Sequence, residues 1–209
     1  MRLLRSGCVA QFRCLADLAG RASSWLGRLV RRNAQRFPAN VRFGDIVRGL
    51  PVETSSAEAA YASHVLEHLS LTDFEKALRE TFRILKPGGV FRLIVPDLEV
   101  RARSYVAALD AGRSDANDAF MRSTTLGVER RNLLVDLGNA RHLWMWDYPS
   151  MKAALERHGF VAVRRCALND AADPMFLMVE QEWRFVHEGV VELAMEARKP
   201  EAPRLTPLS

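Results

Sequence analysis

Acidic residues are nearly missing from the first 42 positions, where Asp17 stands alone against nine arginines. The rest of the chain carries a net charge of −3, so the overall +5 belongs to one terminal stretch. A basic balance of that kind is no general argument for nucleic acid, and no nucleic-acid partner is expected. Cysteine is scarce. Cys8, Cys14 and Cys166 are an odd number without metal-type spacing, which excludes a disulfide-stapled scaffold and makes a reduced, cytoplasmic compartment the expectation. There is no run of eighteen apolar residues to span a membrane as a helix, and no internal repeat. Glycine is thin where a nucleotide-binding chain usually spends it. Residues 1–40 hold only Gly7, Gly20 and Gly27, with no Gly-x-Gly. Against these absences, 209 residues that are 48% hydrophobic suffice for one domain with a substantial core.

The informative stretch runs from Asn40 to Asp97. Ala59-Ala60-Tyr61-Ala62-Ser63 is a short small-and-apolar run suited to a strand buried on both faces. Thr72 with Glu75 three residues on makes a capping box ahead of a helical pattern in which Phe74, Ala77, Leu78, Thr81, Phe82 and Leu85 share one face. Pro87-Gly88-Gly89 should stop that helix in a turn, and Val90–Val95 reads as the next strand. Strand, helix and strand make a βαβ crossover, hence a parallel sheet. The fold class is α/β: a Rossmann-like, mostly parallel sheet flanked by helices, with its N-terminal part truncated or replaced by a basic helix.

Residues 1–40 form a separate basic arm. Phe12, Leu15, Leu18, Ala22, Trp25 and Leu29 recur at three- to four-residue intervals, an amphipathic helical pattern with arginines between. Three readings stay open for it: a helix packed on the sheet, a helix contacting a membrane surface or a protein, and a targeting or mistranslated leader. Residues 41–200 form the α/β domain, with a polar, helical insertion over 98–140 that would make a lid or substrate wall. Arg101, Arg103, Arg130, Arg131 and Arg141 there suit an anionic or sugar ligand, or a solvated face. Val190–Ala197 alternates enough for a final antiparallel strand, and the proline-rich tail 201–209 should be disordered.

Ser63-His64-Val65-Leu66-Glu67-His68 lies where a strand passes into a helix, the place at which open α/β sheets bind ligands. If Val65 begins a helix, His64, Glu67 and His68 share one face. In one chemical reading, His64 or His68 is a general base and Glu67 holds its tautomer. In another, the trio binds a divalent metal with His142 as a fourth ligand. A structural reading has Glu67 and His68 bracing the loop. No metal is carried into the expected site. Asp97, after Pro96 at a strand end, is a substrate contact or a turn residue.

SHVLEHL, RILKPGG and HLWMWDYPSMKAALERHGF in this order resemble the second half of a class I S-adenosylmethionine-dependent methyltransferase of the type 11 kind, over roughly Val41–Pro200. The resemblance implies S-adenosyl-L-methionine as cofactor and a small-molecule or glycan methyl acceptor. It places Asp45 against the adenine amino group with Ile46 packed on the ring, Ser63 at the cofactor, and His142 with His64, Glu67 and His68 at the active-site mouth. The alternative function is a cofactor-deficient, methyltransferase-like binding or assembly module acting through the basic arm, since the glycine loop is missing. A missing first strand would leave a sheet edge for the arm or a second subunit to cover, so an oligomer is compatible with the sequence.

Overall fold

The computed structural model describes residues 2–5, 8–13, 41–124, 126, 141–187 and 189–202. Strands β1 (Arg2–Arg5), β2 (Cys8–Arg13), β3 (Val41–Phe43), β4 (Ala57–Ser63), β5 (Leu85–Val95), β6 (Val161–Arg165) and β9 (Leu193–Arg198) pair in the order β3-β2-β1-β4-β5-β9-β6. A two-residue pair, β7 (Val186–His187) and β8 (Val190–Val191), forms a separate hairpin. Around them lie α1 (Leu71–Ile84), α2 (Leu98–Asp110), α3 (Ala116–Thr124), α4 (Tyr148–Arg157) and the single turn α5 (Glu182–Phe185). Strands β2 to β6 run one way, while β1 and β9 run the other. The fold is thus the expected Rossmann-like mixed sheet flanked by helices.

Side-chain alternation divides the strand residues between two cores. Ala60, Ala62, Phe91, Leu93, Val95, Leu193, Met195 and Ala197 face α1 and α4, which contribute Phe74, Ala77, Leu78, Met151, Ala154 and Leu155. Ala59, Tyr61, Val90, Ile94 and Ala194 face the segment carrying Phe176, Val179 and Phe185. Because β4 is covered on both faces, its small residues let both layers approach.

The connection from α1 to β5 differs from the sequence reading. The helix cap is Ser70, whose hydroxyl accepts from the Asp73 backbone N–H at 3.2 Å, two residues before the expected Thr72. The helix then runs straight into strand. Pairing jumps from Ala57↔Leu85 to Ala59↔Val90, so Lys86–Gly89 is looped out as a bulge instead of forming a separate turn. Gly88 sits at φ +77, and a side chain on Gly89 would meet the Lys86 carbonyl oxygen at 2.8 Å.

The N-terminal stretch also departs from expectation. Residues 2–5 and 8–13 are paired strands, with β1 antiparallel to both β2 and β4, so Phe12 lies in a strand and the helical pattern does not begin there. The rest of that pattern, from Cys14 to Asn40, lies outside the described residues, as do Arg130, Arg131 and the tail beyond Ala202. Two residues link β1 to β2, too few for the strand–loop–helix unit that carries a glycine-rich nucleotide loop. No helix among the described residues is long and apolar enough to cross a membrane. Cys166 is half-buried, and desolvation pushes its thiol up to about 12.

One charged group is locked inside the second core. Arg92, at 1% exposure, donates to Glu180 at 2.8 Å, Glu196 at 2.7 Å and Asp170 at 3.0 Å, and lies 5.2 Å from the Phe176 ring centre. Removing one partner of such a cluster strands the others in a dry interior. Arg92→Ala should therefore cost about 3–5 kcal/mol in urea denaturation. Arg164→Ala, on the exposed side of the same network, should cost no more than about 1 kcal/mol.

Candidate active site

The carboxyl ends of β4 and β5 open into a cavity of about 690 Å³. Its walls come from four places. The β4 end gives His64, Glu67 and His68; α2 and α3 give Arg101 and Ser123; the segment before α4 gives His142; and the segment before β9 gives Trp183, Arg184 and Glu192. Within 98–140, helices α2 and α3 thus contribute Arg101 and Ser123 to the lining.

The turn after β4 is tighter than expected. Only Leu66–His68 is helical, as a single 3-10 turn, and His64 adopts a left-handed backbone at φ 51. A non-glycine residue held there signals local strain kept for a reason. His64 and Glu67 still meet, with Nδ1 3.3 Å from Oε1. His142 is brought in by backbone bonds: the Leu143 and Trp144 N–H groups both donate to the Glu67 carbonyl oxygen, at 2.7 and 3.2 Å. A bridge between Asp97 and Trp146, with Leu98 N–H donating to the Trp146 oxygen at 2.8 Å, clamps the other end of that segment.

Hydrogen bonds fix the proton positions. His68 Nδ1 lies 2.8 Å from the Arg141 carbonyl oxygen, and His142 Nδ1 lies 2.7 Å from that of Thr124. A carbonyl only accepts, so each Nδ1 carries a hydrogen, and whenever the ring is neutral its Nε2 holds the lone pair. The two rings stand edge to face with centres 5.0 Å apart. His64 differs, because its Nε2 donates to the Arg184 carbonyl at 3.1 Å while its Nδ1 faces Glu67. Two acceptors on one ring favour imidazolium. Burial by itself lowers the His64 pKa, but the Glu67 carboxylate, the Arg184 carbonyl and the Glu192 charge outweigh it, and the net shift is upward. Burial dominates at His142 and lowers its pKa, keeping that ring neutral.

Glu67 is completely buried, and neither carboxylate oxygen makes a well-aligned hydrogen bond. Its approaches to His64 and to His68 Nε2, at 3.3 and 3.7 Å, are ion-pair distances only. Behind it, Arg101 and Glu192 pair through two bonds of 2.9 Å each. Sequence reasoning missed that pair and the Trp183–Arg184 wall. A lone acid in the apolar run before β9 was the available signal.

Of the expected site, His64, Glu67, His68 and His142 come together, whereas Asp45, Ile46 and Ser63 do not line this cavity. Asp45 follows β3, three strand positions from β4, which at about 4.8 Å per step is roughly 14 Å along the same edge. Its Oδ1 caps a turn, accepting from Val47 and Arg48 N–H, while Oδ2 is buried without a hydrogen-bond partner. The Ser63 hydroxyl is likewise buried and unpartnered, and Ile46 belongs to the core. Asp97 proves to be the N-cap of α2, accepting from Glu99 and Val100 N–H, so the turn role applies. Trp146 is core and Trp144 half exposed.

Residues 17–93 match the family model of the methyltransferase domain, type 11. That stretch is similar to type 11 methyltransferase domains. The match starts inside the segment read above as an arm, and ends before the HLWMWD segment. Similar solved structures include a chain of a complex between a Haloferax volcanii methyltransferase and a methyltransferase activator (14% identity, 92% of this chain and 82% of that one, TM-score 0.45). Another is a possible histamine N-methyltransferase of Thermotoga maritima (17%, 85% and 70%, 0.42). A third is a Burkholderia thailandensis 1,6-didemethyltoxoflavin-N1-methyltransferase (15%, 92% and 71%, 0.43). No curated protein matches the chain.

The His64–Glu67 contact sets a pH dependence. A folded-state pKa above the unfolded value of about 6.5 means that charged His64 contributes its full stability below that pH. The contribution fades as pH rises through the folded value. Wild type should exceed His64→Gln in urea stability most in mild acid, and the gap should shrink on the alkaline side.

Proposed function

We propose that the chain is an S-adenosylmethionine-dependent methyltransferase acting on a hydroxyl-bearing small molecule or glycan. The observation that carries this reading is the cavity at the carboxyl ends of β4 and β5, where two imidazoles, each anchored through Nδ1 to a backbone carbonyl, leave Nε2 free beside a buried carboxylate. Its size falls in the range of small-ligand sites. The type 11 match over 17–93 supports the reaction class.

The cofactor, when bound, supplies a methyl group activated on a sulfonium centre. Asp45 Oδ2, approached by Arg48 Nε at 3.6 Å, and the Ser63 hydroxyl, both buried without a hydrogen bond, would hold it, with Ile46 as apolar floor. Their spacing suits an extended ligand reaching from β3 to β4. The acceptor would occupy the cavity beyond Ser63. Both ring nitrogens of His64 are committed, to Glu67 and to the Arg184 carbonyl, so the proton from the acceptor hydroxyl passes to Nε2 of His68 or His142 instead. Arg101 and Glu192, bonded to each other, would line the acceptor's far side without adding net charge.

A second reading keeps one specific observation in its favour. The two-residue β1–β2 link leaves no place between those strands for a glycine loop, as a cofactor-deficient binding module working through the basic N-terminal arm would require. Calorimetric titration with S-adenosylmethionine and S-adenosylhomocysteine separates the two. The enzyme reading expects saturable binding that Asp45→Asn weakens at least about tenfold. No binding by the folded protein overturns it and leaves the module. With an acceptor in hand, His68→Gln or His142→Gln should lower kcat by roughly 10²–10⁴ while cofactor affinity stays unchanged.

A further inference from the structure

A single proton transfer needs one base, yet this cavity presents more. Two imidazoles are each locked in the same tautomer by a backbone carbonyl, at 2.8 Å for His68 and 2.7 Å for His142. That lock is the usual outer arrangement of a metal-ligating histidine, whose second nitrogen is thereby left to the ion. Between them lies the Glu67 carboxylate, buried completely, with no aligned hydrogen bond to either oxygen. A buried carboxylate with no aligned hydrogen bond, approached only by the His64 and His68 rings at 3.3 and 3.7 Å, is under-satisfied, and a cation is an ordinary remedy. One donor atom from each of Glu67, His68 and His142 lies within 4.8 Å of the others.

From this geometry we infer that Glu67, His68 and His142 form a binding site for one divalent transition-metal ion of the zinc class. Two imidazole nitrogens and one carboxylate oxygen are a donor set for such ions, and hard oxygen-seeking cations such as magnesium fit it poorly. In a tetrahedral shell, donors bound at about 2.0–2.2 Å stand roughly 3.3 Å apart, so shifts of about an ångström close this set on an ion. Three protein ligands leave a fourth position open, as in catalytic sites, and it would face the cavity.

His64 stays outside the set. Its Nε2 is committed to the Arg184 carbonyl, and its ring serves to hold Glu67. Neighbouring positive charge is already compensated. Arg101 is bonded to both Glu192 oxygens, and Arg122 lies 3.5 Å from Asp118. The inference goes beyond the methyl-transfer reading and stands without it, because it concerns binding of the ion alone. If both hold, the ion occupies the two Nε2 atoms in place of a free imidazole base, and its open position would take the acceptor oxygen and ease loss of the proton to solvent.

The test uses the full chain, stripped with chelator and titrated with Co²⁺ and Zn²⁺ in the absence of cofactor and acceptor. One Co²⁺ per chain should bind with visible absorption characteristic of nitrogen and oxygen donors, and Zn²⁺ should displace it. His142→Ala and His68→Ala should each weaken binding by more than the roughly 10–100-fold seen for changes outside the ligand shell. His64→Gln should keep a saturable site. X-ray absorption on the wild-type zinc form should find two imidazole donors, and it decides the matter even if a ligand variant misfolds. No saturable binding by folded protein, binding indifferent to His142→Ala, or a shell of oxygen alone would each overturn the inference. Methyl transfer in its absence would leave the function reading intact.

Discussion

The carboxylate of Glu67 is the constraint on which the site depends. It is sealed from water at the turn after β4 and has no aligned hydrogen bond of its own. A charge in that position must be answered by its neighbours. His64 answers with a ring whose two nitrogens both face acceptors, at the cost of a left-handed backbone. The backbone carbonyl oxygen of Glu67 receives the Leu143 and Trp144 N–H groups and so ties the segment bearing His142 to the turn. Main chain and side chain of one residue thus assemble groups that lie far apart in sequence.

The scaffold makes that assembly rigid. Strands β4 and β5 are parallel neighbours covered on both faces, so their carboxyl ends are fixed relative to one another. Asp97 caps α2 there, and Arg101 one turn on reaches Glu192 just before β9. Buried ion pairs recur on this side of the sheet, at Arg92 with Glu180 and Glu196 and at Arg101 with Glu192. Such pairs add little net stability but penalise every arrangement that separates them. They position walls.

Local signals made part of this legible. Apolar periodicity located α1, small residues identified β4 as doubly covered, and the final antiparallel strand followed from alternation. The cap of α1 was misplaced because Ser70 with Asp73 and Thr72 with Glu75 offer the same spacing, and local pattern cannot rank them. The glycines after α1 read as a turn since a bulge uses the same residues. Long-range partners were harder. Placing His142 beside His68 took family resemblance, because backbone bonds across some seventy residues leave no periodic trace. Arg101–Glu192 left only an isolated acid in an apolar run. The reversed strand β1 was hidden for a related reason: its partner β4 is distant, and four residues are too few to show a strand period.

The most direct test of the account is the protonation state of three rings, read by long-range proton–nitrogen NMR on labelled protein at neutral pH. His68 and His142 should each carry hydrogen on Nδ1, and His64 should keep hydrogens on both nitrogens to a higher pH than His142 does. A neutral ring with its hydrogen on Nε2 at His68 or His142, or a His64 that becomes neutral before His142, would contradict the arrangement around Glu67 from which the chemistry is derived.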